Sequence, residues 1–198
     1  MVITVQEMKS LEDSEQKQGI SKIEMMERAA QGIVDVLLRR CELAGKTVLF
    51  VCYHGNNGGD GFAAARLLLE KGYVAKVLFI GDAARLKAEA KINFQRLKDI
   101  EKSTGPIFVG RFIDADIIVD AILGISASGP LTPVLVAAVD RINAAQGFKV
   151  AIDIPTGVDP DAKVVRRPSV RPALIITMHD LKPCLLPYKD ITEIVPIF

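Results

Sequence analysis

Histidine and cysteine are scarce in this chain of 198 residues, and tryptophan is absent. The two histidines, His54 and His179, are too few for a histidine-rich metal centre. The three cysteines are an odd number, lie far apart and form no CxxC pair, which argues against a disulfide framework and against a zinc site. We therefore expect a reducing, cytoplasmic setting, with chemistry that depends on carboxylates, backbone amides, lysines or a bound cofactor.

The chain also lacks an excess of charge of either sign, since 25 basic residues face 24 acidic ones. A net charge of +1 excludes attraction of nucleic acid by the surface as a whole. A local basic run, Lys163, Arg166, Arg167 and Arg171, is typical of a solvated loop and contains no aromatic residue on which bases could stack. Nucleic acid is therefore not an expected partner.

No long apolar run indicates a membrane segment. The uncharged stretch 121–139 contains too many glycine, proline and serine residues for a membrane-spanning helix. The first residues lack the basic and apolar regions of a secretory signal, so we expect no secretory signal there. Apolar residues make up 49% and charged residues 25%, which is the balance of a soluble globular protein with a sizeable core.

Hydrophobic periodicity predicts two helices within residues 1–40 and then a regular alternation of strands and helices. The predicted strands cover 47–53, 74–80, 116–122, 149–154, 173–178 and 191–197, with a further short strand at 106–109. A glycine-rich loop follows the first strand, and a helix is predicted after it, from Phe62 to a stop at Gly72. Two more helices are predicted over 83–100 and 133–145. This succession predicts an α/β protein with a three-layer, Rossmann-like fold. We expect a mostly parallel central sheet with helices on both faces, in one domain over 1–198.

The glycine-rich loop has the sequence HGNNGGDG and occupies residues 54–61. We expect its glycines to supply positive φ angles and to let the backbone approach a ligand. The free amides at the start of the following helix suit a phosphate. The loop is neither GxGxxG nor a P-loop, so its glycines alone favour a phosphate site and an ordinary tight turn equally. The polar side chains of Asn56, Asn57 and Asp60 favour the ligand site.

Two of the predicted strands end in an aspartate, Asp120 and Asp153. In open α/β sheets, ligands bind beyond the carboxyl ends of the strands, near the point where the strand order reverses. A buried carboxylate needs a partner or a chemical task. Either aspartate alone could equally well cap amides of its own loop. Together with the asparagines after the first strand, the two aspartates favour a shared site.

The sequence resembles the NAD(P)H-hydrate epimerases, the family of YjeF amino-terminal domains. The resemblance covers nearly the whole chain and rests on blocks of matching order and spacing. The blocks are Glu7-Met8, Gly19-Ile20 and 25–29 in the predicted amino-terminal helices, the loop 55–61, residues 120–124 running to Gly129, residues 153–157, and the tail 176–183. The loop 55–61 and the block 153–157 are the most distinctive of these.

The resemblance implies a repair activity on nicotinamide cofactors, the interconversion of the R and S epimers of hydrated NADH and NADPH. Epimerisation at C6 of the ring needs loss and return of the hydroxyl, or opening and closure of the ring. Both routes require a group that gives and accepts a proton, and Asp153 is the candidate acid–base residue.

The resemblance also implies the ligands of the site. The implied substrate contacts are Asn56, Asn57, Gly58, Gly59, Asp60, Gly124, Ile125, Ser126, Ala127, Ser128, Gly129, Pro130 and Asp153. A potassium ion (K+) would be held by Asn57, Asp120 and Thr156, whose side chains offer the oxygens that a hard cation prefers. Thr156 stands where the family usually has serine, and the hydroxyl is kept.

The resemblance implies a second copy of the chain as partner, in a homodimer. It also implies a separate ADP- or ATP-dependent dehydratase, because no kinase-like dehydratase sequence occurs within the chain. Relatives of this domain also include non-catalytic nucleotide-binding or scaffold modules, which are the main alternative. The enzyme is favoured because the site residues are intact, namely Asn56, Asn57, Asp60, Asp120 and Asp153. An ordinary NAD-dependent dehydrogenase is disfavoured, because GxGxxG is missing.

Overall fold

A six-stranded sheet forms the centre of the protein in the computed structural model, which describes residues 2–126, 129–160 and 168–198. The strands are β1 (Thr47–Cys52), β2 (Val74–Phe79), β3 (Ile117–Ala121), β4 (Phe148–Ile152), β5 (Leu174–Met178) and β6 (Thr192–Val195). They lie in the order β2-β1-β3-β4-β5-β6, and each neighbouring pair is parallel. The prediction of an α/β fold with a mostly parallel sheet is confirmed.

The strand order reverses at β1. The chain passes from β1 to β2 on one side, and β3 then pairs with β1 on the other side. The carboxyl ends of β1 and β3 therefore border the crevice in which open α/β sheets bind ligands. The segments that leave these two ends begin at Tyr53 and Ile122.

Five α-helices are present in the described part of the chain. They are α1 (Val5–Lys17), α2 (Lys22–Arg40), α3 (Asn56–Glu70), α4 (Ala88–Thr104) and α5 (Pro133–Ala144). Local signals fix several ends: Thr4 and Glu7 form a capping box at the start of α1, and Ser21 accepts the N–H of Glu24 at the start of α2. Among the described residues, no helix is long and apolar enough to cross a membrane.

Alternate residues of the buried strands pack on opposite faces of the sheet. Val48 and Phe50 of β1 face a core formed with α2, α3 and α4. Leu49 and Val51 of the same strand face a second core formed with α5. The period of two in a parallel strand accounts for this division. The predicted helical layers on both faces are confirmed.

Two predicted elements differ from the structure. The helix predicted over 83–100 is interrupted, because Lys87 is extended and donates its N–H to the carbonyl of His54 at 3.2 Å. A short 3₁₀ turn, Ala83–Arg85, precedes this break, and α4 follows it. The strand predicted at 106–109 is wrong, since only Phe108 forms a bridge, to Val77 of β2.

The amino-terminal segment lies beside the carboxyl end of β5. Ile3 donates its N–H to the carbonyl of Leu181 at 2.8 Å, and Val2 forms a parallel bridge with Leu181. This pairing joins the amino-terminal segment to the segment that follows β5. It places α1, whose one buried residue is Met8, beside the strand ends where a ligand is expected.

Candidate active site

A cavity of about 620 Å³ lies at the carboxyl edge of the sheet, where β1 and β3 end. Its volume is in the range of about 300–1,000 Å³ that is typical of small-molecule sites. Residues from α1, α2, the start of α3 and the ends of the strands form its wall. The charged or polar side chains of the wall include Lys9, Glu12, Lys22, His54, Asn57, Asp60, Lys87, Asp153 and Lys182.

The glycine-rich segment 55–61 is the N-cap and the beginning of α3 and not a loop that precedes the helix. The expectation of positive φ angles at these glycines is wrong: Gly55 has φ −84°, and Gly58 and Gly61 lie within the helix. Their role is close packing. A Cβ at Gly58 would overlap the carbonyl oxygen of Tyr53, and one at Gly61 would lie 2.5 Å from the Cβ of Ala121.

This packing brings the start of α3 to the wall of the cavity, where Gly55, Asn56 and Asn57 line it. The first backbone amides of a helix have no acceptor within the helix. The same end carries the positive pole of the helix dipole. The first turn of α3 is therefore suited to an anion such as a phosphate.

Asn57 is the most unusual side chain of the wall. It is 7% exposed, and neither its amide oxygen nor its amide nitrogen has a hydrogen-bond partner among the described residues. A Cβ at Gly124 would lie 3.3 Å from Oδ1 of Asn57 and 2.6 Å from Oδ2 of Asp153. The three residues therefore meet closely. A buried amide without partners is costly, so Asn57 is expected to bind a ligand.

Asp120 and Thr156 form a fully buried pair behind this wall. Thr156 donates its N–H to Oδ2 of Asp120 at 2.8 Å and its hydroxyl to Oδ1 at 2.7 Å. The hydroxyl of Thr156 also accepts the N–H of Leu123 at 3.1 Å. Burial raises the pKa of Asp120 to about 6, although the hydrogen bonds from Thr156 act in the opposite direction. The pair ties the segment after β4 to the segment after β3.

Asp153 directly follows β4 and has an unusual backbone. Its φ is +64°, which is rare for a residue other than glycine and is held by an N–H···O bond of 2.7 Å to Ile176. Such conformations cost of order 1–3 kcal/mol and cluster at functional sites. Its side chain accepts the N–H of Ile125 at 2.6 Å through Oδ2. Oδ1 lies 3.0 Å from Nζ of Lys182.

Lys182 was missed as a site residue by the sequence analysis, which noted it only within the resembling tail 176–183. It is 1% exposed, lines the cavity and reaches Asp153 from the segment after β5. A signal existed: this lysine stands in an apolar run between Leu181 and Pro183. A lysine in such a run is rarely buried without a partner.

Two further carboxyl groups face the cavity, Asp60 from α3 and Glu12 from α1. Burial, together with the negative charges of Asp153 and Glu12, raises the pKa of Asp60 well above its usual range. Burial and the charge of Asp153 also raise the pKa of Glu12. Asp153 thus has a cationic partner, whereas Asp60 is disposed to carry a proton. Glu12 is a second residue that the sequence analysis missed.

The structure brings most of the predicted substrate contacts together. Those that line the cavity are Asn56, Asn57, Asp60, Gly124, Ile125, Ser126 and Asp153. Gly58 and Gly59 are buried beneath it, and Gly129 and Pro130 are exposed at the surface. Ala127 and Ser128 lie outside the described residues, as do Lys163, Arg166 and Arg167 of the basic run.

The fold and the site define an α/β protein with a ligand cavity at the carboxyl edge of a doubly wound parallel sheet. A family profile described as YjeF-related protein N-terminus matches residues 22–184. The chain belongs to this family.

The relatives include proteins with one and with two activities in their names. A protein of Archaeoglobus fulgidus named "Bifunctional NAD(P)H-hydrate repair enzyme Nnr" is 34% identical over 191 residues, covering 96% of this chain and 39% of that protein. The "NAD(P)H-hydrate epimerase" of Rhodobacter capsulatus is 34% identical over 194 residues, covering 92% of this chain and 90% of that protein. The chain therefore spans well under half of the bifunctional relative and nearly all of the other.

A solved structure shares the fold. The crystal structure of the yeast protein ynu0 matches with a TM-score of 0.83 and 24% sequence identity, covering 98% of this chain and 87% of that chain. At this identity the match shows the fold alone.

Proposed function

We propose that the protein is an epimerase that interconverts the R and S forms of hydrated NADH and NADPH. The main support is the part of the wall formed by Asp153, Gly124 and Asn57. There Asp153, which has a strained backbone and an ion pair with Lys182, lies close to the buried side-chain amide of Asn57, which has no hydrogen-bond partner among the described residues. The names of relatives such as the Rhodobacter capsulatus protein support the same activity. Potential proton-transfer groups and an unsatisfied binding group thus share one cavity.

The charge distribution of the cavity supports a substrate that carries phosphates. Lys9, Lys22 and Lys87 line it together with the start of α3. A dinucleotide has a diphosphate that needs cations and free amides, and both are available there. The nicotinamide end would then lie toward Asp153.

Asp153 is the proposed acid–base group at C6. If the hydroxyl is lost and regained, the C6–O bond breaks as the oxygen receives a proton and leaves as water. Water then adds to the other face of C6 and returns a proton to the protein. If the ring opens, the hydroxyl gives its proton to a carboxylate as the C6–N bond breaks, and the ring nitrogen receives a proton from the donating group. Closure on the other face of the new carbonyl reverses these proton transfers and gives the other epimer. Asp153, paired with Lys182, suits the accepting role, and Asp60 suits the donating one.

Potassium is the proposed ion of this site, with Asn57, Asp120 and Thr156 as the residues that would hold it. The free Oδ1 of Asn57 fits a hard cation, and Asp120 and Thr156 offer further oxygens. A bound potassium ion would supply positive charge beside the carboxylates.

The proposed partner activity is a dehydratase that consumes the S epimer. The name of the Archaeoglobus fulgidus relative, a bifunctional NAD(P)H-hydrate repair enzyme, supports a second repair activity beside the epimerase. The homodimer stays a prediction. The apolar residues of α2, such as Ile33 and Val34, are buried within the chain and are therefore not available to contact a second copy.

The test is a timed chromatographic separation of the R and S hydrates after the protein is added to purified R-NADHX. We expect conversion well above the spontaneous rate in wild type and at the spontaneous rate in Asp153→Asn. Asp116→Asn is the matched control, because Asp116 binds the N–H of Thr47 at the opposite edge of the sheet. Conversion no faster than buffer, from folded wild type in potassium, would favour a nucleotide-binding or scaffold module.

A further inference from the structure

Lys182 is a buried cation to which the proposed reaction assigns no step. We propose that Lys182 is the positioning residue for Asp153, fixing the carboxylate in the orientation that proton transfer at the substrate requires. This inference rests on the proposed function and adds a residue to it. Lys182 is 1% exposed, and its Nζ is 3.0 Å from Oδ1 of Asp153.

The hydrogen bonds of Lys182 separate positioning from direct catalysis. A lysine ammonium has three N–H donors. Nζ of Lys182 lies 2.8 Å from the hydroxyl of Thr177, 2.6 Å from the carbonyl of Met178 and 3.0 Å from Asp153. Three donors therefore face three acceptors of the protein. No donor is left for a ligand, so Lys182 acts through Asp153.

The same contacts fix which part of Asp153 faces the cavity. Oδ1 lies against Lys182 and 3.4 Å from the hydroxyl of Thr177. Oδ2 accepts a hydrogen bond from the N–H of Ile125 and lies close to Gly124, which lines the cavity. Rotation of the carboxylate would break contacts on both oxygens. The oxygen on the cavity side is thus held in one place.

The charges around Asp153 make this cation important. Asp60 of α3 and Glu12 of α1 are acidic and act on Asp153 across the cavity. Lys22 and Asp13 act on Glu12 and lie farther along the same wall. Among the described residues, Lys182 alone forms an ion pair with Asp153. Without it, two acidic neighbours would repel a carboxylate that has no counter-charge.

The experiment compares Lys182→Met with wild type in the R-NADHX assay and measures kcat and KM separately. We expect kcat to fall by about 10²-fold, the effect of misplacing a reacting group by roughly 1 Å. KM should stay within about twofold, because Lys182 has no donor for the substrate. Lys149→Met is the matched control: it removes a lysine whose Nζ binds the carbonyl of Gly147 in another part of the sheet, and we expect wild-type kinetics.

A rescue experiment distinguishes positioning from a role in folding. Lys182→Ala leaves a space that opens on the cavity, so small amines can enter it. Ethylammonium or propylammonium should restore part of kcat, whereas propanol of the same size should not. Thr177→Val is a second test of positioning. It keeps the charge of Lys182 and removes the hydroxyl that contacts both Lys182 and Asp153. It should lower kcat with KM unchanged.

If the wild type is active, three results would overturn the inference while the proposed function stands. The first is an unchanged kcat in Lys182→Met, and the second is a change in KM alone in that variant. The third is equal rescue of Lys182→Ala by the amine and by the alcohol. If the Lys182 variants do not fold, a folded Thr177→Val with wild-type kcat would overturn it as well. Wild type that is no faster than buffer would instead overturn the proposed function, and this inference with it.

Discussion

Thr156 donates both its backbone N–H and its hydroxyl to the carboxylate of Asp120, at 2.8 Å and 2.7 Å. Both residues are fully buried, and they come from the ends of neighbouring strands that are far apart in the sequence. The pair therefore holds together two segments that form the wall of the cavity. Asp153 lies in one of these segments and Gly124 in the other, so the geometry between them depends on this link.

Thr156→Val should destabilise the protein. The substitution keeps the shape of the side chain but leaves the N–H of Leu123 without a partner and leaves Oδ1 of Asp120 with only the N–H of Ile122, at a cost of about 1–3 kcal/mol. Urea denaturation measures the change. Thr192→Val is the control, because that hydroxyl binds a carbonyl in a half-exposed position, and we expect a loss of about 1 kcal/mol or less. Equal losses in both variants would contradict the prediction.

Asp120 should make the protein less stable as the pH rises. Its pKa is about 6 in the folded protein against an ordinary value of 3.8, so the folded state binds the extra proton between these values. The stabilisation is complete below about pH 4 and is lost as the pH rises through 6, amounting to about 3 kcal/mol.

The measurement is the free energy of unfolding of wild type and Asp120→Asn between pH 4 and pH 7 in potassium-free buffer. The advantage of wild type over the variant should shrink across this range. Other carboxyl groups titrate as well, but they cancel in the difference between the two proteins. A difference that does not change with pH would show that Asp120 keeps one protonation state throughout.

The sheet could be predicted because buried parallel strands are continuous apolar runs. The run that begins at Thr47 was predicted to end at Tyr53 and ends at Cys52 in the structure. The same rule placed Asp120 and Asp153 at the carboxyl edge, since the strands are parallel and their ends meet there. Pattern and topology were sufficient for this part of the site.

The other parts of the site depend on contacts between residues that are far apart in the sequence, and no local sequence pattern indicates these contacts. Glu12 reaches the cavity because the amino-terminal segment pairs with Leu181, and Lys182 reaches it from the same region. The break before α4 depends on a hydrogen bond from Lys87 to His54, which the periodicity of 83–100 does not indicate. The contacts of Lys182 likewise appear only once β5 lies beside β4.

Gly124→Ala should lower the activity of a protein that still folds. The added methyl group would lie 2.6 Å from Oδ2 of Asp153 and 3.3 Å from Oδ1 of Asn57, so both must move. We expect kcat/KM for R-NADHX to fall by about 10²-fold, with a stability loss of about 1–3 kcal/mol. Gly110→Ala is the control, because nothing lies within 4 Å of a Cβ there. Wild-type activity in Gly124→Ala would contradict the close approach of the two side chains.

Potassium should stabilise the protein through Asn57. An ion that binds only the folded state raises the free energy of unfolding by RT ln(1 + [K+]/Kd), so Tm should rise with potassium concentration at constant ionic strength. Sodium and lithium at the same concentration should have a smaller effect. Asn57→Ala should abolish the potassium-dependent part of Tm. The matched control is Asn93→Ala, a fully buried asparagine whose amide already has partners in Met26 and Arg96. That control should lower Tm but keep its dependence on potassium, whereas equal potassium responses in wild type and Asn57→Ala would exclude Asn57 as a ligand.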